Sequence, residues 1–209
     1  TRQKKAIPIN ELHTLLNEDP QSDKLRRTQA IANLLFLFCG MPFADLAHLE
    51  KSNLEGNILK YNRIKTGTPM SIEILESASC IVSRLRNTHS AVLPEHPDYL
   101  FYILSGKNKR DDEAAYIEYQ STLRRFNNDL KSLARKLCIR SSVTSYTFRH
   151  SWATTAKYRG VSIEMISELL GHKSIKTTQI YLKGFELRER TEVNRMNLYY
   201  VRSAPNSRV

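Results

Sequence analysis

Residues 146–154 read Tyr146-Thr147-Phe148-Arg149-His150-Ser151-Trp152-Ala153-Thr154, and residues 169–174 read Leu169-Leu170-Gly171-His172-Lys173-Ser174. Thr177-Thr178-Gln179-Ile180-Tyr181 follows, placing the tyrosine nine residues after His172. Apolar spacing predicts helices over about 147–158, 162–170 and 174–183. Arg149 then stands on one short helix, His172 just after the next and Tyr181 on a third.

Working outward, the upstream half repeats the helical pattern with one interruption. Residues 8–17 suit a short helix with Pro8 near its start. Residues 22–39 suit a longer one, capped by Ser22 or Asp23 and ended by Gly40. Pro42 opens another, through about His48. The period then changes. Leu54-Glu55, Ile58 to Ile64 and Met70 to Ile74 read as three short antiparallel strands, separated by turns at Gly56-Asn57 and Thr66-Gly67-Thr68. Helices resume at about 75–87, 112–137 and 186–196, with a Pro94/Pro97 loop between the first two. The expected fold class is mostly α with a small three-stranded antiparallel sheet.

Composition narrows the function. The chain has 209 residues, 41% of them hydrophobic, with 32 Lys and Arg against 21 Asp and Glu, a net charge of +11. That is enough apolar content for one core, and enough positive charge to attract a polyanion, nucleic acid first. The longest apolar run, Leu34 to Cys39, falls far short of the ~20 residues that cross a bilayer, so no membrane partner is expected. Cys39, Cys80 and Cys138 are scattered singly. No disulfide framework or zinc site is expected from them; they are read as core residues in a reduced cytoplasmic setting. No Gly-rich phosphate loop is present, so nucleotide-dependent chemistry is not expected. Asp111, Asp112 and Glu113 look like a metal cluster but are explained by a helix N-terminus. No cofactor and no metal are expected.

The charge is placed in a pattern. In the 112–137 helix, Leu123, Phe126, Leu130, Leu133 and Leu137 share one stripe at 100° per residue. Arg124, Asn128, Lys131 and Arg135 share another, roughly 150° away. With Lys107, Lys109 and Arg110 just upstream, this face is expected to contact a DNA duplex. A lysine, Lys65, stands at the tip of the hairpin within Arg63-Ile64-Lys65-Thr66-Gly67.

The hairpin lysine, the RHSWAT stretch, the LGH turn and the TT..Y ending together resemble the tyrosine recombinases, or phage-type integrases. The likeness runs from the helix at 22 to Tyr181. Gly40-Met41-Pro42-Phe43-Ala44-Asp45-Leu46-Ala47-His48-Leu49 is similar to integrases of conjugative transposons. The resemblance implies a site-specific recombinase that cuts and rejoins DNA through a 3′-phosphotyrosyl bond. It implies Tyr181 as nucleophile, Arg149 as the phosphate-binding arginine, His172 as a hydrogen-bond donor to the phosphate and Lys65 as general acid. These residue types suit the task. A tyrosine of pKa about 10 is a weak nucleophile that needs cationic neighbours. Arginine offers a charged fork matched to phosphate oxygens. The resemblance also implies double-stranded attachment sites as partners, a homotetramer on paired sites and a monomer when free. Residues 1–6 are expected to be a linker stub from an N-terminal DNA-binding domain, residues 7–184 the catalytic domain, and residues 185–209 a tail that packs on a neighbouring protomer.

Two positions depart from the family's pattern. Pro42 occupies the place of the family's first arginine, and loss of one positioned donor costs about 2.7–4 kcal/mol by analogy with an oxyanion hole. Arg63 is available as a substitute guanidinium, although its spacing does not demand that role. Tyr146 stands where a His or Lys is usual; its phenol donates one hydrogen bond but carries no positive charge. It is also the rival nucleophile. His150 is expected to pack beside Trp152. A catalytically silent DNA-binding protein and a type IB topoisomerase are the competing functions.

Overall fold

The computed structural model describes residues 6–87, 99–105, 112–182, 191, 194 and 195. Most of the 186–196 segment, the Pro94/Pro97 loop, Lys109 and Arg110 lie outside the described residues. Helix α1 spans Ile9–Asn17, α2 Asp23–Leu37 and α3 Phe43–Ala47. A 3-10 turn at Lys51–Asn53 leads into strands β1 Leu54–Glu55, β2 Ile58–Asn62 and β3 Pro69–Glu73. Helices α4 Glu76–Asn87, α5 Glu113–Lys136, α6 Ser145–Tyr158, α7 Ile163–Leu169 and α8 Ile175–Tyr181 follow.

Helix α2 is the hub, packing against α1, α4, α5 and α6. Its Ala30, Ile31, Ala32, Leu34 and Leu35 are buried. It stops at Leu37, short of the expected residue 39, because Cys39 (φ 54°) and Gly40 (φ 66°) both enter the left-handed region. Gly40 is required twice over. Besides its positive φ, a Cβ there would lie 3.0 Å from Arg149 Cα and 3.3 Å from Trp152 Cβ. The missing side chain therefore lets α6 close on the end of α2.

Strand alternation sets the sheet. Leu59 and Tyr61 point inward from β2, Met70 and Ile72 from β3, and the register pairs Leu59 with Ile72 and Tyr61 with Met70. The order is β1-β2-β3, antiparallel throughout. Across the outer face, Lys60 and Glu55 form an exposed pair at 2.5 Å. Such pairs contribute about 0–1 kcal/mol, whereas burying a leucine such as Leu59 is worth about 1.5–3 kcal/mol. The inward row, not the ion pair, holds the sheet.

The stripe read on α5 is the buried one: Phe126, Leu130 and Leu133 are buried, and Leu123 and Leu137 pack partly buried against them. Phe126 stacks on Phe43 at 4.7 Å, which seats α3. Helix α6 begins two residues earlier than the apolar spacing predicts, because Thr144 and Thr147 form a capping box and the Thr144 N–H donates to Thr147 Oγ1 at 2.9 Å. A second, smaller apolar cluster of Ala153, Ile166, Leu170 and Leu182, with Trp152 against it, joins α6, α7 and the end of α8.

One packing expectation needs correction. Cys39 is partly buried, but Cys80 and Cys138 are exposed and do not belong to the core. Cys80 lies on the solvent side of α4, and Cys138 falls past the end of α5 with φ 56°. The Tyr146 ring packs edge-on against His150 at 5.0 Å, and Trp152 packs against the second apolar cluster. Residues 146 and 150 are one helical turn apart, whereas 150 and 152 do not face each other.

Candidate active site

Four segments meet around the carbonyl of Leu170, the last residue before the Gly171-His172 turn. Arg149, on α6, is 3% exposed. Its Nη1 donates to the Gly40 carbonyl at 2.9 Å, and its Nη2 to the Leu170 carbonyl at 2.5 Å. Nη2 also lies 3.2 Å from His172 Nε2. On the other side of the imidazole, Nδ1 is 2.8 Å from Thr178 Oγ1. An arginine has only donors. The Arg149 contact therefore makes Nε2 the acceptor, and Nδ1–H donates to Thr178.

Gly171 permits this turn. Its φ is 63°, and a Cβ there would lie 2.7 Å from Met70 Sδ and 3.0 Å from Arg63 Cδ. The hairpin turn thus presses directly on the backbone before His172. Thr68 Oγ1 donates to the Gly171 carbonyl at 3.5 Å, and the Arg63 Nη1 donates to the Leu170 carbonyl. Within the turn, the Gly67 N–H closes onto the Arg63 carbonyl at 2.7 Å. Lys65 stands exposed at its tip.

Asp45, from α3, anchors the same turn. It is 3% exposed, takes the Ile64 N–H at 3.0 Å on Oδ1, and faces Arg63 Nε at 2.9 Å with Oδ2. Burial pushes its carboxyl up, and the Arg63 guanidinium opposes that shift.

The imidazole of His172 is held well below its ordinary range, at about 4, first by burial and then by the charges of Arg149, Arg63 and Lys65. In the free protein it is therefore neutral at pH 7. An anion placed among these cations would raise its proton affinity and turn Nε2 into a donor. A group whose folded pKa is depressed contributes stability that is fully present above its unfolded value and lost as pH falls through the folded one. Stability of the free protein is therefore expected to decline as pH drops from about 6.5 to about 4. Chemical denaturation of wild type and His172→Gln across that window checks this. The difference between their stabilities should change with pH, and a constant difference would refute the protonation account.

Tyr181 is the last residue of α8, three positions after Thr178. Thr178 is wholly buried and fixes that helix to His172. Three residues is about 4.5 Å of helical rise, so the backbone bearing the tyrosine is tied closely to the imidazole. Of the remaining expected residues, Tyr146 lies one turn before Arg149 on α6 and is 37% exposed. Arg124, Lys131 and Arg135 are exposed along α5, the first and last hydrogen-bonding within their own helix, to Gln120 O and Ser132 Oγ.

Arg149, His172 and the turn carrying Lys65 are thus brought together, with α8 attached. Asp45, Thr178 and the Leu170 carbonyl were not singled out by sequence reasoning. Asp45 and Thr178 lay inside quoted motifs, but only their contacts give them a task. A backbone carbonyl leaves no sequence signal at all. The arrangement concentrates positive charge and directed donors at one point without a carboxylate pair, which suits binding a phosphodiester.

Comparison with known proteins agrees. The chain is 30% identical over 206 residues to the tyrosine recombinase XerA of Pyrococcus furiosus, covering 93% of this chain and 62% of that protein. It is 28% identical over 187 residues to the tyrosine recombinase XerD of Listeria innocua, covering 88% and 59%. The chain therefore spans about three fifths of the length of these relatives. Among solved structures, a XerA recombinase superposes with a TM-score of 0.67 at 22% identity, covering 94% of this chain and 65% of that one. The Tn1549 transposon integrase in complex with transposon right end DNA gives 0.62 at 13%, covering 94% and 67%. The likeness is spread across both kinds of enzyme and so marks the shared fold. Residues 5–187 match the phage integrase family, and with nearly the whole described chain inside that match, the chain belongs to it.

Proposed function

We propose that this chain is the catalytic domain of a site-specific DNA recombinase, with residues 7–184 as the catalytic unit. The observation that carries the reading is the run of contacts from Arg149 through His172 to Thr178, which ties the buried Arg149 guanidinium to the helix ending in Tyr181. In this reading Arg149 holds the scissile phosphate. The Tyr181 hydroxyl attacks phosphorus and gives its proton to solvent water as the new P–O bond forms. The bond to the 5′ oxygen breaks, and Lys65 protonates that oxygen as it leaves. His172, charged once the phosphate is bound, donates to a non-bridging oxygen. A 5′-hydroxyl from a second duplex reverses the step and completes strand exchange. The phosphotyrosyl bond keeps the energy of the broken one, so neither ATP nor a cofactor enters. Tyr146, on the arginine's own helix, serves as a neutral donor at the edge of the site.

The partners in this reading are double-stranded attachment sites and three further copies of the chain on paired sites, with a monomer when free and residues 185–209 packing between protomers. The exposed Arg124, Lys131 and Arg135 on α5 support a phosphate-contacting face. Removing one such contact reduces the slope of log K against log salt by about 0.9. Lys131→Ala is therefore expected to flatten the salt dependence of DNA binding by that amount, measured by titration at several salt concentrations; an unchanged slope would take α5 off the DNA.

The function itself is tested with the full-length protein and a nicked suicide substrate carrying its attachment site, in EDTA. A covalent protein–DNA adduct is expected. DNA binding without any adduct would instead support a silent DNA-binding protein, and plasmid relaxation without recombination would support a topoisomerase.

A further inference from the structure

Helix α8 is held to the domain by a polar anchor. It has seven residues. That is too few for a stable isolated helix, so contacts with the rest of the domain must seat it. Among the described residues of α8, the side chains of Ile175, Lys176, Thr177 and Gln179 are exposed and that of Thr178 is wholly buried. Burying a hydroxyl is unfavourable unless it is hydrogen-bonded, and its partner here is His172 Nδ1 at 2.8 Å. The bond closes residues 172–178 into a clasp, inside which the Ser174 side chain accepts the Lys176 N–H and caps the helix. Just past the helix, Leu182 joins the second apolar cluster.

We infer that Thr178 is a positioning residue that makes the seat of the Tyr181 helix depend on the state of His172. The inference rests on the recombinase reading above and adds an order to it, phosphate first and nucleophile second. An apolar side chain at 178 would hold α8 whatever the imidazole did, whereas the hydroxyl holds it through the imidazole. In the free protein the ring is neutral, and Nδ1–H meets Thr178 as one uncharged group meets another. With a phosphate beside Arg149, Nε2 takes a proton and both ring nitrogens become donors. The bond to Thr178 is then charge-assisted and roughly twice as strong. Phosphate on one edge of the ring thus tightens the helix on the other. By linkage the converse holds, and whatever seats α8 raises the proton affinity of His172. The groups facing the ring set the bias. Arg149 from α6 and Arg63 and Lys65 from the hairpin turn oppose the second proton, and the Thr178 acceptor favours it.

A Thr178 that only fills space is the competing explanation. Full-length wild type is compared with Thr178→Val, which keeps the shape without the acceptor, and Thr178→Ser, which keeps the hydroxyl. Thermal unfolding checks the fold; Thr178→Ala, which also lacks the acceptor, replaces the valine variant if that does not fold, with the same expected shifts. In the free proteins, amide hydrogen exchange over residues 175–182 reads the seat of α8. Thr178→Val is expected to exchange about 10–100-fold faster there, with Thr178→Ser near wild type. Single-turnover adduct formation on a nicked suicide substrate, followed across pH, reads the coupling. The wild-type rate is expected to fall as pH rises through the proton affinity of His172 in the complex, since only the doubly protonated ring serves the phosphate and Thr178 at once. Losing the acceptor disfavours that ring, so in Thr178→Val the decline should move about one pH unit lower and the lost rate should return as pH is lowered. Thr178→Ser should keep the wild-type midpoint. Exchange in Thr178→Val no faster than in wild type, or a rate lower by the same factor at every pH, would overturn the inference. A wild type that forms no adduct overturns the recombinase reading, and with it the presentation of a nucleophile by this clasp, whereas the exchange result stands by itself.

Discussion

Tyr181→Phe is expected to abolish the covalent DNA adduct while leaving DNA affinity nearly unchanged. The substitution removes a single oxygen and keeps the ring. The contacts that fix α8, from Thr178 to His172 and from the Leu182 N–H to the Thr178 carbonyl at 2.8 Å, do not involve that oxygen. In the proposed mechanism binding is carried by phosphate contacts elsewhere and is expected to survive. The effect on chemistry is expected to be total, because in the proposed mechanism the ester forms on this hydroxyl alone. Tyr146 is the competing hydroxyl, but it stands on α6 with its ring against His150. A denaturing gel of labelled suicide substrate reads both variants directly. An adduct that persists in Tyr181→Phe and disappears in Tyr146→Phe would reverse the assignment.

Arg149→Lys is expected to have the next largest effect. The substitution keeps the charge, so an account based on charge alone predicts a mild loss. The contacts argue otherwise. Arg149 uses its fork in three directions at once: the Gly40 carbonyl, the Leu170 carbonyl and His172. An ammonium is a compact point charge on a flexible stem and cannot span those positions while also gripping a phosphate. Adduct formation should fall by at least about 10²–10³-fold, comparable to loss of a positioned transition-state donor. The fold should weaken as well, since a buried carbonyl left without its donor costs about 1–3 kcal/mol. Single-turnover cleavage with a thermal melt in parallel measures both. Near wild-type cleavage would show that Arg149 acts only as a positive charge.

Much of the fold was legible because its signals are local. The alternation that marks Leu59, Tyr61, Met70 and Ile72 as inward needs no tertiary information, and neither does the leucine stripe of α5. Ends and partners were harder. The stop of α2 at Leu37, before the expected residue 39, depends on Cys39 taking a left-handed φ of 54°, which a cysteine does not signal in sequence. The exposure of Cys80 and Cys138 depends on which side of α4 and of the α5 end turns to solvent. Within the site, Arg149, His172 and Lys65 carried a motif, and the structure gathers them. The groups that orient them carried less. Thr178 matters through one hydrogen bond, Leu170 through a carbonyl that any residue would supply, and Asp45 through a turn nineteen positions downstream. Arg63 was visible as a charge, but only the packing of the hairpin on Gly171 brings it to Arg149.

The most direct measurement is the location of the DNA on the protein. Wild-type adduct from a suicide substrate, digested with protease and nuclease, leaves a nucleotide on one peptide that tandem mass spectrometry can sequence. The account predicts a 3′-phosphotyrosyl nucleotide on Tyr181. A nucleotide on Tyr146 or any other residue, or a 5′-linked one, would contradict it.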